Sequence, residues 1–138
     1  MKLALPEEFN ERTKGRGIVE GDWIKQQLIL NHPSVGCFVT HCGSESLTEA
    51  MVNDCRLVLL PHAGDLKVGV EVEKSEEDGL FTKEAVYKGV RTVTDNENKL
   101  GQMVRTNHAK WRKFLLSHGL ENSYVDDLVQ KLDSLLKS

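Results

Sequence analysis

Two short apolar runs separated by a helix-sized interval set the strongest limit on how this chain folds. Residues 36–40 (Gly36-Cys37-Phe38-Val39-Thr40) and 56–60 (Arg56-Leu57-Val58-Leu59-Leu60) are brief, nearly continuous in hydrophobicity and rich in β-formers. Strands of that kind are buried on both faces, as in a parallel sheet covered by helices. Between them, Gly43-Ser44-Glu45-Ser46 opens a predicted helix over residues 47–53. Ser46 with Glu49 three residues on has the spacing of a capping box. Strand, helix, strand implies an α/β sheet.

The remaining segments are read around that unit. Residues 17–20 are a short strand candidate, and residues 25–31 a short helix closed by His32-Pro33, because the residue before proline resists the α region. Residues 67–73 alternate, with Val68, Val70 and Val72 on one face. Thr82 is placed to cap a helix reaching about Arg91. Two longer helices follow. The first carries Leu100, Met103, Val104, Trp111, Phe114 and Leu115 on one side and stops at Gly119. The second is capped by Ser123 and carries Val125, Leu128, Val129, Leu132 and Leu136. Both stripes are expected to face a core. One interval conflicts with a simple parallel sheet: residues 61–66 cannot supply the crossover of about a dozen residues that parallel neighbours need. Either the flanking strands are antiparallel or the chain has lost a helix there.

With 138 residues the chain suits one domain, spanning 1–138. At 39% hydrophobic and 28% charged residues it has a soluble composition. No apolar run approaches the roughly 18 residues of a membrane span. Met1 to Leu5 meets Pro6-Glu7-Glu8 without a signal-peptide core, so a chain beginning here is expected in the cytoplasm. The net charge of −3 argues against a nucleic-acid partner, which calls for a basic face. Three cysteines, Cys37, Cys42 and Cys55, read as reduced thiols. A metal site from His41, Cys42, Cys55 and His62 would lack the paired short spacing of zinc ligands, so no metal is expected, and no other cofactor is called for.

The chemistry concentrates at residues 40–46. A buried strand ends, small polar residues follow, and a helix begins. Free N–H groups at a helix start favour an anion, and Gly43 leaves room for a phosphate to approach the backbone. In open α/β sheets ligands bind beyond the carboxyl ends of strands, where this turn lies. The His41 ring stands where it could donate to a phosphate oxygen.

Here a longer pattern is present. Trp23-Ile24-Lys25-Gln26-Gln27, then residues 32–43 (His32-Pro33-Ser34-Val35-Gly36-Cys37-Phe38-Val39-Thr40-His41-Cys42-Gly43), then Ser46, Glu49-Ala50, Pro61 and Gly64-Asp65 resemble the signature of plant secondary-product UDP-dependent glycosyltransferases. Lys14-Gly15-Arg16-Gly17 and residues 66–73 are similar to the branch that extends sugars already attached to flavonoids. The resemblance implies a GT-B enzyme, of which this chain is an incomplete, Rossmann-like, C-terminal donor-binding domain. It implies inverting transfer of a sugar from a UDP-sugar, the donor substrate, to a hydroxyl of a flavonoid glycoside or similar small-molecule acceptor.

Carried over by position, Trp23 would stack on uracil, Ile24 would offer backbone groups to the uracil edge, and Gln26 would lie near the ribose. His41, Gly43 and Ser46 would hold the diphosphate, Glu49 would accept from the ribose hydroxyls, and Asp65 would bind the donor sugar. The histidine general base of relatives belongs to an N-terminal acceptor domain that this chain lacks, so no catalytic residue is assigned. His62, His108 and His118 read as ordinary histidines.

Three features depart from the pattern. The acceptor domain is missing. Asp65 is followed by Leu66, where the signature ends in Asp-Gln and a helix of about fifteen residues follows in relatives; this matches the missing crossover inferred from strand spacing. Ser44 and Glu45 stand where an aromatic or small residue and then asparagine or glycine are usual, and a carboxylate beside a diphosphate is unfavourable unless it points away. The departures leave a second reading open: an inactive nucleotide-binding remnant or an interaction fragment.

Overall fold

A computed structural model describes residues 6, 8–60, 66–117 and 119–136. Its element order is α1 (Phe9–Thr13), α2 (Gln26–Leu30), β1 (Phe38–Thr40), α3 (Ser44–Val52), β2 (Leu57–Leu59), β3 (Val70–Glu71), α4 (Lys83–Thr94), α5 (Lys99–Leu115) and α6 (Leu120–Leu136). The three strands form one parallel sheet in the order β1-β2-β3, with Val39 opposite Val58 and Val58 opposite Val70.

The apolar run at 57–59 is continuous because both of its faces are covered. Leu57 and Leu59 join Leu30, Ala50, Met51, Cys55 and Val68 on the side of α2 and α3. Val58 points the other way, into Val70, Val72, Val93 and Val104 beneath α4 and α5. Full burial of one such side chain contributes about 1.5–3 kcal/mol. Arginines close the layers. Arg56 donates to the Thr94 carbonyl and to Asn96 Oδ1, each at 3.0 Å, Arg105 donates to the Val93 carbonyl at 3.0 Å, and Arg112 donates to the Val52 carbonyl at 2.9 Å. Cations placed on the carbonyl ends of α3 and α4 satisfy groups that have no partner within the helix.

The β2–β3 pair resolves the interval that conflicted with a simple sheet. The strands are parallel, so the antiparallel alternative fails. Only ten residues join Leu59 to Val70, and the described part of that link, residues 60 and 66–69, contains no helix. The return is feasible because the paired segments are so short: ten extended residues reach about 33 Å. It is also tight. A Cβ on Gly69 would lie 2.8 Å from the Leu57 Cβ and carbonyl oxygen and 2.9 Å from Leu59 Cγ. Lys67 accordingly takes a left-handed φ of 49°.

Several expectations need correction. Residues 17–20 form no strand and are exposed; the pairing in the described sheet is among β1, β2 and β3. Helix α6 begins at Leu120, not after a cap at Ser123. Its stripe does not face a core: Val125, Leu128, Val129 and Leu132 are 50–57% exposed. On α5 the buried face is Gly101, Val104 and His108, continued by half-buried Trp111 and Leu115, whereas Leu100, Met103 and Phe114 lie exposed. Thr82 does cap α4, accepting from the Ala85 N–H at 3.1 Å. Among the described residues no helix is long and apolar enough to cross a membrane.

Candidate functional site

The turn leaving β1 is sharp. Cys42 adopts a left-handed φ of 63°, and its N–H donates to Thr40 Oγ1 at 3.2 Å. Gly43 is the N-cap of α3 and offers no side chain to it, so the helix starts at Ser44, three residues before the position expected from sequence. Ser46 is therefore not the cap, and the capping-box reading of Ser46 with Glu49 fails. Both residues are set inside the helix, in its first two turns.

Freed from its own helix start, Glu49 faces α2. Gln26 Nε2 donates to Glu49 Oε2 at 2.8 Å, and Gln27 Nε2 donates to Glu49 Oε1 at 3.2 Å. Leu30, on the same short helix, is buried against Ala50 and Met51 and holds α2 to α3.

Beside this contact opens a hollow of about 370 Å³ lined by Asp22, Trp23, Ile24, Gln26, Glu45, Ser46 and Glu49. Five residues singled out from the sequence thus meet at one place: Trp23, Ile24, Gln26, Ser46 and Glu49. The Trp23 indole is 84% exposed, a large apolar plane with little of its surface covered by the protein. His41 and Gly43 occupy the neighbouring β1–α3 turn, exposed and outside the lining. Asp65 lies outside the described residues, as does His62.

Sequence reasoning did not find Asp22 or the Gln27 contact. Asp22 adjoins Trp23 and could have been suspected from that alone. Gln27 stands within the signature segment, but nothing in that pattern says that its amide meets Glu49, since the contact depends on where α3 begins. Glu45 stands out in the sequence as a departure, and it is among the residues that line the hollow.

The lining carries three carboxylate side chains and no lysine or arginine. The start of α3, whose first N–H groups lack intrahelical partners, adds a partial positive charge beside them. Behind the turn, burial pushes the Cys42 thiol up, with Glu71 adding to the effect. Burial pushes the Cys55 thiol to about 11, and Cys37 is raised by the same cause. All three are free thiols.

Comparison with known proteins bears on this geometry. The family model described as UDP-glucoronosyl and UDP-glucosyl transferase matches residues 6–118. The chain is 54% identical, over 147 positions, to an anthocyanidin 3-O-glucoside 2''-O-glucosyltransferase of Ipomoea nil, covering 99% of this chain and 32% of the relative. It is 55% identical to a cyanidin 3-O-galactoside 2''-O-xylosyltransferase of Actinidia chinensis, covering 96% and 32%. The structure resembles Phytolacca americana UGT2, solved with UDP-2-fluoro-glucose and pterostilbene, at a TM-score of 0.71 and 26% identity, covering 91% of this chain and 32% of that one. The chain spans about a third of the length of the curated relatives it matches. The Ipomoea match is longer than the 138 residues of the chain, so that relative carries residues this chain lacks within the matched region.

Proposed function

Because the chain belongs to the UDP-glucoronosyl and UDP-glucosyl transferase family, we propose that its hollow receives the uridine end of a UDP-sugar and that the chain is the donor-side part of a GT-B glycosyltransferase. Trp23 stacks on the uracil ring, a task that needs an exposed aromatic plane. The backbone of Ile24 meets the uracil edge. Gln26 and Glu49 face the ribose, where a carboxylate accepts from hydroxyls. Ser46, the start of α3, Gly43 and His41 lie toward the diphosphate, whose growing charge as UDP leaves is met by preorganised N–H donors. Asp65 takes the donor sugar, a role that rests on the signature alone.

One observation carries the reading. The Glu49 carboxylate is oriented by two glutamine amides, and the hollow that it lines is also lined by an 84% exposed tryptophan. A core or a surface helix has no use for that arrangement, and a nucleoside does.

The reaction is transfer to a hydroxyl of a flavonoid glycoside or similar small molecule, supported by what the Ipomoea and Actinidia relatives are named for; inversion at the sugar rests on the signature alone. The signature implies a general base and an acceptor pocket outside the matched region, so this polypeptide by itself is expected to transfer no sugar. Free thiols support a cytoplasmic setting, and the net charge of −3 speaks against nucleic acid as a partner.

The test is calorimetric titration of the chain with UDP, expected to give weak saturable binding that is lost in Trp23→Ala. Unchanged binding in that variant would remove the stacking role. Sugar transfer by this polypeptide alone would show that it contains its own base.

A further inference from the structure

The charge of the hollow and its shape favour different ligands. Trp23, Ile24 and Gln26 bring uncharged side chains to the lining, one of them a flat indole suited to a nucleoside. Glu45 lies in the first turn of α3, where a bound phosphate would draw on the helix's free N–H groups. A helix start carries the equivalent of about half a positive charge, and a carboxylate in the first turn already answers it. Glu49 has both oxygens engaged by glutamine amides, and Asp22 belongs to the loop beside Trp23. Glu45 is therefore the lining carboxylate that sits at the helix start itself. No lysine or arginine in the lining offsets it, and His41 lies outside the lining.

We propose that Glu45 acts as a built-in anion at the start of α3 and sets the specificity of the hollow toward the uncharged nucleoside and against the diphosphate. The inference rests on the reading of the hollow as a uridine site, and it makes UDP-sugars poor ligands of this particular chain. Repulsion between like charges a few ångström apart in a partly solvated site changes affinity by about tenfold. It is also screened by salt, whereas attraction to a phosphate would be weakened by it.

The experiment titrates the full chain with uridine, UMP and UDP by calorimetry, in the native protein and in Glu45→Gln. The native chain is expected to bind UDP no more tightly than uridine, and Glu45→Gln to gain about tenfold for UDP while uridine changes less than about twofold. Raising salt from about 50 to 500 mM should tighten UDP binding to the native chain and leave uridine unaffected. UDP bound at least about tenfold more tightly than uridine by the native chain would overturn the proposal and leave the uridine site standing. So would an equal gain from Asp22→Asn, which would place the effect on net charge. If none of the three ligands binds, the uridine site itself fails, and the proposal fails with it.

Discussion

The side-chain amide of Gln26 donates to Glu49 Oε2 at 2.8 Å, joining α2 to α3 across 23 residues of sequence. With Gln27 on the other oxygen, the carboxylate is held in place before any ligand arrives. A hydrogen bond to a charged acceptor is worth about 1.5–3 kcal/mol. Glu49→Ala is therefore expected to weaken uridine binding at least about tenfold and to abolish discrimination against 2′-deoxyuridine. Gln27→Ala, which frees one oxygen at an exposed position, should cost only about threefold. Equal binding of the two nucleosides by the native chain would remove Glu49 from the ribose.

How far the sequence reveals this arrangement depends on the kind of signal. Leu57-Val58-Leu59 announces a doubly covered strand because hydrophobicity on both faces leaves few alternatives. Thr82 announces the start of α4 because capping is local. The α5 face was misread because two of its buried positions are Gly101 and His108, which hydrophobic periodicity does not count. A Cβ on Gly101 would strike the Thr92 carbonyl oxygen, so the glycine is there for the α4–α5 crossing. The Ser46-Glu49 pair has a capping-box spacing that the structure uses differently, because a left-handed Cys42 starts the helix early. Trp23 and Glu49 were legible as partners only through the signature, since neither spacing nor composition says that residues 23 and 49 meet.

Gly69 is where the short return between β2 and β3 crosses the sheet. Leu57 and Leu59 leave no room there for a side chain, so Gly69→Ala overpacks a junction of backbone and core. The expected loss is about 1–3 kcal/mol in urea unfolding. Gly36→Ala, where an added Cβ meets nothing within 4 Å, should stay within about 0.5 kcal/mol. Equal midpoints for the two variants would mean that the link relaxes freely.

His108 supplies a pH dependence. It is 5% exposed, and its Nε2 lies 3.2 Å from the Met51 carbonyl, an acceptor, so this nitrogen carries the proton of a neutral ring. Burial lowers its pKa below 6.5; the Met51 and Ala50 carbonyls and Asp54 oppose the shift, and Arg112 adds to it. On acidification the unfolded chain takes the proton first, near pH 6.5, and the folded chain only at lower pH. Stability is thus fully present above that value and falls as pH drops through the window below it. Urea midpoints between pH 7.5 and 5.5 should decline in the native chain and decline less in His108→Gln. A profile unaltered by the substitution would assign the dependence to other groups.

Helix α6 tests whether a stripe at helical spacing needs a partner within this chain. Tyr124, Val125, Leu128, Val129 and Leu132 are all at least half exposed, so little stabilisation can come from their burial here. A helix of 17 residues is marginal in water without tertiary support. Ending the chain at His118 should therefore shift the urea midpoint by less than the equivalent of about 0.5 kcal/mol, in line with the loss of exposed residues elsewhere. The same truncation should reduce concentration-dependent association in sedimentation, because a contiguous exposed apolar face promotes it. If the truncated chain instead unfolds at markedly lower urea, α6 packs on the body in solution, and its apolar stripe belongs to the core after all.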